Sequence, residues 1–423
     1  MTAQEFLKNH GVDLDAFDNA DLLAAFDQEM AAGLSGANSS LKMIPAFLNL
    51  PASLPVSRKV AVLDAGGTNL RAARVCFDAA GKATIEAIVK SKMPGVHAPV
   101  SEEEFYAAFV DELEKVLEPG IDLLGFCFSY PAEITPEKDG KLLYWTKEIK
   151  APAIVGQHVG AELKRRLAAR GHQIKVAIMN DTVTTLLAGY AADPSAAAYV
   201  GFILGTGTNT ALIVDTGRIA KSPAARAAGK RMIVNTESGG FAKFPKSDFD
   251  MAFDAATQNP GVNVFEKCIS GAYMGTRCLY AVKAAAKEGL FSPQATAAIA
   301  ELEELDNKLL DDWLAGVGAL PIAADWTADD VAFFKAVALT LYTLAARFTA
   351  VNIAAAVRNS GVPAGSTVIV NADGSTFYKT KCVDFQRVTR EQLDRMLQPL
   401  GLTARIIHVD EAPILGAAVG ALG

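Results

Sequence analysis

Twice in this chain an apolar run ends in a glycine-threonine turn: Val60-Ala-Val-Leu-Asp-Ala-Gly-Gly-Thr-Asn69 and Val200-Gly-Phe-Ile-Leu-Gly-Thr-Gly-Thr-Asn209. Glycines let backbone N–H groups approach an anion with no Cβ in the way, and threonine hydroxyls add further donors. Neither turn reads G-x-x-x-x-G-K-[ST], which excludes a P-loop. One such turn alone reads equally well as an ordinary hairpin. Two in one chain, with Asn180-Asp181 between them, point to a phosphate tail held from both sides and to phosphoryl transfer. The second turn also restarts the strand pattern of the first. The fold this faint repeat predicts is two similar α/β halves facing each other across a cleft.

A chain of 423 residues is too long for one compact core, so two domains are expected. The divisions are a helical N-terminal part over 1–57, a small α/β domain over 58–189, a large one over 190–407, and a C-terminal helix over 408–423 returning to the small domain. The apolar stretch from Ala336 to Val357 is interrupted by Arg347 and Asn352, so no membrane span is expected. The start, Met1-Thr2-Ala3-Gln4-Glu5, has no basic region leading into an apolar run. Five cysteines (Cys76, Cys127, Cys268, Cys278, Cys382) without C-x-x-C spacing argue against a disulfide framework and a zinc cluster, and fit a reducing cytoplasm. A net charge of -7 with no Lys/Arg run argues against nucleic acid as a partner. Histidines lack metal-ligand spacing, so the metal expected is Mg²⁺ arriving with a nucleotide.

Period-2 patterns predict strands at Val60–Leu63, Arg71–Phe77 and Ala83–Lys90, forming an antiparallel sheet edge. Ser101-Glu-Glu-Glu104 is a capping box opening a helix to about Leu117. A buried strand spans Leu123–Ser129, a helix Gly156–Ala169, and another apolar strand Ile174–Met179 ends at Asn180-Asp181, the kind of strand end where open α/β sheets bind ligands. Strands at 199–204 and 211–214 flank the second turn. Helices are expected at Val264–Glu288, Ala295–Leu314 and Asp329–Arg358, the last closed by Gly361. A strand at Ser366–Val370 then enters a loop at 371–375, and the tail from Asp410 to Leu422 reads as a short helix.

Phosphoryl transfer to an alcohol needs a held phosphate, a base beside the hydroxyl, and a pocket that excludes water. Asp181 suits the base, although Asn-Asp-Thr before a helix is equally good capping sequence. Asp64 beside the first turn suits Mg²⁺ held through water. The order of motifs resembles the hexokinase and glucokinase family, members of the actin-like ATPase (ribonuclease H-like) fold. Leu63-Asp-Ala-Gly-Gly-Thr-Asn-Leu-Arg71 and Leu204-Gly-Thr-Gly-Thr-Asn209 are similar to its two phosphate motifs. Gly125-Phe-Cys-Phe-Ser-Tyr-Pro131, Trp145-Thr-Lys147, Asn180-Asp-Thr182, Asn235-Thr-Glu-Ser-Gly-Gly-Phe241 and Phe265-Glu-Lys-Cys-Ile-Ser-Gly271 resemble its sugar-binding and catalytic segments, and Leu41-Lys-Met-Ile-Pro45 its N-terminal segment.

The resemblance implies ATP-dependent phosphorylation of a hexose at its 6-hydroxyl, glucose being the first guess, by a two-domain α/β enzyme that works as a monomer or homodimer. It implies Asp181 as general base and Lys147 as a neutraliser of charge on the transferred group, although a lysine after an aromatic is by itself an ordinary surface residue. Ser129, Thr146, Asn180, Asn209, Glu237 and Glu266 would line the sugar. Gly66, Gly67, Thr68, Asn69 and Arg71 would bracket the phosphates from one side and Thr206 from the other, with Gly374 and Ser375 at the adenosine. Arg71 has a second reading as an ion-pair partner between domains. The sequence departs from the family pattern at Ser238, where Trp is usual, at Glu148-Ile149, where Gly-Phe is usual, at Ala132-Glu133, and in Asp410-Glu-Ala-Pro-Ile-Leu-Gly416, which replaces a glycine- and serine-rich loop. These put sugar preference and adenosine contacts in question. A kinase for fructose, mannose or an amino sugar, and a sugar sensor without turnover, are the other readings.

Overall fold

The computed structural model describes residues 1–423 except Phe17, Lys147 and Glu148. The strands in the first half are β1 (Ile44–Pro45), β2 (Arg58–Ala65), β3 (Asn69–Phe77), β4 (Ala83–Lys92), β5 (Leu123–Phe128), β6 (Ala132–Ile134), β7 (Gly140–Leu142) and β8 (Lys175–Met179). Those in the second half are β9 (Ala198–Leu204), β10 (Thr208–Asp215), β11 (Arg231–Asn235), β12 (Thr367–Asp373) and β13 (Thr403–Ile407). One sheet has the order β4-β3-β2-β5-β8 and another the order β1-β11-β10-β9-β12-β13, while β6 and β7 form a separate hairpin. In each sheet three strands run antiparallel across a glycine turn, and two more add in parallel to the first of them. The repeat expected from the restarted pattern is therefore present as a repeated strand order.

Alternation along the strands divides the interior into three cores. On β2, Ala61, Leu63 and Ala65 face an outer core with the helices Glu102–Glu114 and Val159–Ala169. Val60 and Val62 face a core shared between the two sheets. On β9, Val200, Phe202 and Leu204 face a third core built with the N-terminal helices and the 32-residue helix Ala328–Asn359. That last helix is long and apolar enough to cross a membrane, but Phe348, Val351, Ile353 and Ala354 on it are packed in the core.

Two helices fill the shared core: Asp181–Ala192 and the C-terminal Ala412–Gly420. They pack backbone to backbone. A Cβ on Gly416 would lie 1.8 Å from Thr184 O, and one on Gly201 of β9 would lie 2.3 Å from Thr182 O, so glycine alone permits this approach on either side.

The helix Asn19–Ser35 is tied to the rest through Glu29, which is 2% exposed. Its carboxylate accepts from Ser40 N at 2.6 Å and Ser40 Oγ at 2.7 Å, and pairs with Lys243 at 2.7 Å. Ser40 Oγ in turn accepts from Ala242 N at 3.1 Å, just beyond the 237–241 turn.

Several sequence expectations need correction. Residues 1–57 are only partly helical: helices Ala3–Asn9 and Asn19–Ser35 give way to extended chain and β1. The single helix expected over Val264–Glu288 is two, Val264–Ile269 and Met274–Lys287, because Gly271 N and Ala272 N leave the helical ladder to donate to Gly205 O and Thr206 O at 2.8 and 3.2 Å. The helix expected over Ala295–Leu314 divides into Pro293–Glu301 and Asn307–Leu314, with Asp306 capping the second by accepting from Leu309 N. The loop expected at 371–375 is strand through Asp373.

Candidate active site

The chemistry gathers where β2, β5 and β8 end on one side and β9 and β12 on the other. Strand β2 ends in Asp64-Ala65 and the first turn, β5 runs into Ser129, and β8 delivers Asn180-Asp181. Parallel pairing sets Asp64 beside Cys127. Burial pushes the Asp64 carboxyl above its ordinary range, partly offset by Arg71, and the nearby Asp181 carboxylate pushes it the same way. The Cys127 thiol, fully buried, is raised by burial and by the charges of Asp64 and Asp181. Its Sγ lies 3.9 Å from Ser129 Oγ and 3.8 Å from Thr184 Oγ1. Asp64, Ser129 and Asp181 thus surround one thiol.

Asn180, not Asp181, is the helix N-cap: its Oδ1 accepts from Thr182 N at 2.9 Å. Asp181 is the first helical residue, with Oδ1 accepting from Thr182 N at 2.8 Å, so the capping need is already met by its neighbour. Arg71 bonds Asp64 Oδ2 through Nε at 2.7 Å and also pairs with Glu411 at the start of the C-terminal helix. Both carboxylates pair with the guanidinium that the resemblance assigns to phosphate, and they come from β2 of the same sheet and from the C-terminal helix packed on it, so the ion pair lies within one half rather than between domains. Asp64 Oδ1 faces Gly66, where a Cβ would be 3.3 Å away. Gly67 has φ 118, and Tyr130 OH donates to its carbonyl at 3.0 Å. Asn69 Nδ2 donates to Thr68 Oγ1, and register places Lys92 of β4 across from Asn69.

Thr146 follows Trp145, whose ring meets Tyr130 edge-on at 4.8 Å and whose Nε1 donates to Ala151 O at 2.6 Å. Lys147 lies outside the described residues.

The second turn carries the densest polar network. Asn209 Nδ2 donates to Asn235 Oδ1 at 2.7 Å and Glu237 Oε1 at 2.9 Å, and Asn235 Nδ2 donates to the same Glu237 oxygen at 2.8 Å. Glu237 is held at φ 57, a left-handed conformation that costs a non-glycine residue about 1–2 kcal/mol. Glu266 Oε2 accepts from Thr208 N at 2.8 Å, and Asn263 Nδ2 reaches Oε1. Burial raises the Glu266 carboxyl, the Thr208 amide lowers it, and the neighbouring Glu237 charge raises it. Taken singly these two acids read as surface residues; the fold half-buries both against amides.

Thr206 O accepts from Ala272 N, and Gly205 O accepts from Gly271 N and Thr376 Oγ1, both at 2.8 Å. This binds the second turn to Gly374-Ser375. Gly374 at φ 113 leaves no room for a side chain, since a Cβ would lie 2.2 Å from Leu204 O. Asn235, Gly207, Thr208, Gly271, Thr376 and Glu411 join the site without having been singled out from sequence. Asn235 stood inside a quoted motif two residues before Glu237 and Glu411 inside the segment that departs from the family pattern, whereas nothing local marked Thr376. Among the described residues no hydrogen bond or ion pair links the first turn to the second.

Comparison with known proteins assigns both halves of the chain to one family. A family model described as hexokinase matches residues 199–423, and a second, also described as hexokinase, matches residues 3–191. Hexokinase-1 of Oryza sativa subsp. japonica is 39% identical over 276 residues, 60% of this chain and 54% of that protein. The hexokinase of Brugia malayi is 27% identical over 94% of this chain and 73% of its own length. This chain spans about half the length of the plant relatives it matches. The structure of Schistosoma mansoni hexokinase complexed with glucose superposes with a TM-score of 0.73 at 24% identity, covering 100% of both chains. A second hexokinase crystal structure gives 0.74 at 22% identity, over 99% of this chain and 95% of that one. The fold is that of hexokinase crystal structures.

Proposed function

This chain belongs to the hexokinase family, and on that footing we propose that it transfers the γ-phosphoryl group of ATP to the 6-hydroxyl of a hexose, glucose first, giving hexose 6-phosphate and ADP at the entry to glycolysis. The observation that carries this reading is the amide and carboxylate set of Asn209, Asn235, Glu237 and Glu266 directly behind a phosphate-type turn. A hexose presents several hydroxyls that both donate and accept, and fixed amides and carboxylates satisfy them in one orientation.

In this scheme Ser129, Thr146, Asn180, Asn209, Glu237 and Glu266 bind the sugar. Asp181 takes the proton of the 6-hydroxyl as its oxygen bonds to the γ-phosphorus and the bond to the β,γ-bridging oxygen breaks, so ADP leaves. Backbone N–H groups of Gly66, Gly67 and Thr68 hold the phosphates from one side with Asn69, and Thr206 holds them from the other. Arg71 reaches them only by exchanging its Glu411 contact. Lys147 neutralises charge on the transferred group, and Gly374 and Ser375 border the adenosine. Asp64 suits Mg²⁺ held through water: Arg71 bonds Oδ2, while Oδ1 faces Gly66, and one carboxylate with waters and phosphate oxygens is a donor set Mg²⁺ uses. When bound, the cation neutralises phosphate charge.

Ser238, standing where the family has Trp, keeps a second hexose or an amino sugar in view as the preferred substrate. ATP-dependent turnover measured on glucose, fructose, mannose, glucosamine and N-acetylglucosamine, with Asp181→Ala beside the wild type, tests both points. Turnover on glucose that falls by roughly 10²–10⁴ in the variant supports the assignment and the base together. Sugar binding without turnover on any of the five leaves a sensor instead.

A further inference from the structure

The geometry points to Asn352, in the interior of the helix Ala328–Asn359, as a positioning residue for the sugar-facing pair Asn209 and Glu237. The inference rests on the proposed kinase reading of that pair.

Asn352 is fully buried on a helix whose neighbouring positions are Val351, Ile353, Ala354, Ala355 and Ala356. An amide there without partners would cost about 1–3 kcal/mol, and an alkyl side chain would pack at no such cost. The amide is engaged on both ends. Thr210 Oγ1 donates to Asn352 Oδ1 at 3.0 Å, and Asn352 Nδ2 donates to Ser238 Oγ at 3.1 Å. Ser238 Oγ and Thr210 Oγ1 are 3.1 Å apart. Because the Thr210 proton is committed to Asn352, the Ser238 hydroxyl supplies the third bond. The result is a closed ring in which each group gives one hydrogen bond and takes one, with all three residues at 0% exposure.

The ring bears on the site through the backbones of its two hydroxyl residues. Asn209 Oδ1 accepts from Thr210 N at 2.7 Å and from Ser238 N at 3.3 Å. These bonds orient the Asn209 amide, whose nitrogen then holds Asn235 and Glu237. Ser238 also follows Glu237 directly, and Glu237 sits in a left-handed conformation that its surroundings must maintain. The small serine, found where the family pattern has Trp, is what gives Asn352 a hydroxyl to reach. The helix thus sets the presentation of Asn209 and Glu237 without touching the sugar.

The test compares Asn352→Ala, Ser238→Ala, their double variant and Thr349→Ala, by steady-state kinetics on glucose and ATP and by thermal melts. Thr349 is the control: it lies one turn away on the same helix, equally buried, with no partner for its hydroxyl. The expected result for Asn352→Ala and for Ser238→Ala is a glucose KM raised about tenfold or more, with ATP KM and kcat within about twofold of wild type. The double variant should be no worse than the weaker single, since the ring acts as a unit. Thr349→Ala should leave glucose KM unmoved. A folded Asn352→Ala with unchanged glucose KM, a joint rise in both KM values, or additive effects in the double variant would overturn the inference. Should Asn352→Ala fail to fold, Ser238→Ala alone decides by the same criteria. A wild type inactive on all five sugars removes the kinase reading and this inference with it; an active wild type with insensitive variants removes this inference alone.

Discussion

Gly207 lies with its missing side chain against Glu266: a Cβ there would be 2.5 Å from Oε2. That atom is the far end of a flexible side chain, so Gly207→Ala should fold and melt close to wild type while the carboxylate is pushed off the Thr208 amide. We expect glucose KM to rise about tenfold or more, read by steady-state kinetics. Gly374→Ala makes the contrast, because its Cβ would meet Leu204 backbone at φ 113, and a loss of melting temperature should come first. Glu266 also sets a pH limit. Its folded value is raised, chiefly by burial, so the folded chain takes up its proton more readily than the unfolded chain does. Its ionisation therefore costs stability at neutral pH, a cost relieved as pH falls, while sugar binding that needs the carboxylate is lost over the same interval. The acid limb of the kcat/KM profile on glucose should begin at a higher pH than an ordinary glutamate gives, and Glu266→Gln should abolish that limb along with most affinity. At this scale motifs in the sequence singled out Asp181, Asn209, Glu237 and Glu266, and the structure bonds Asn209 to Glu237 and Glu266 to the amide next to Asn209. It was silent on partners supplied from afar: Glu411 meets Arg71 from 340 positions away, and Asn352 meets Thr210 from 142.

Among the elements, the N-terminal helix Asn19–Ser35 depends on Glu29. Burial acts to raise this carboxyl, but Lys243 and Ser40 outweigh it and bring it down to about 2. A folded value below the unfolded one means stability that is present above about pH 4.5 and drains away as pH falls toward 2. Glu29→Gln should lose on the order of 2 kcal/mol at neutral pH and show a flatter stability curve between those limits, measured by urea unfolding across pH. The elements most legible beforehand were those with strong local signals, such as the β2–β3–β4 edge and the Ser101–Glu104 capping box, which forms as expected. Helix ends set by tertiary contact were not legible. Gly271, just past the helix end at Ile269, was a stop signal that the helical pattern running on to Glu288 overrode; the stop is fixed where Gly205 O and Thr206 O claim the amides of Gly271 and Ala272. Short pieces such as β1, β6 and β7, two or three residues each, are too short for a period to emerge.

For the whole molecule, the two-fold repetition visible in the glycine-threonine turns extends to strand order, and each half carries one turn at the end of its first strand. Sugar bound between them should draw the halves together, since the ligands proposed for it come from both. Small-angle scattering at saturating glucose should show a smaller radius of gyration than the free chain, and an unchanged radius would remove closure from the scheme. The helix Asp181–Ala192 governs what such a motion would do. It is wedged between Gly201 of one sheet and Gly416 of the C-terminal helix at backbone contact, so it has little room to shift against either neighbour. The consequence is one of timing. In the proposed scheme Asp181 therefore keeps its place through closure, whereas the two phosphate turns, joined by no hydrogen bond among the described residues, come together only as the halves close. A half-shut molecule then holds an oriented proton acceptor with nothing to hand over, and a stray water arriving early finds no phosphoryl group ready to receive it.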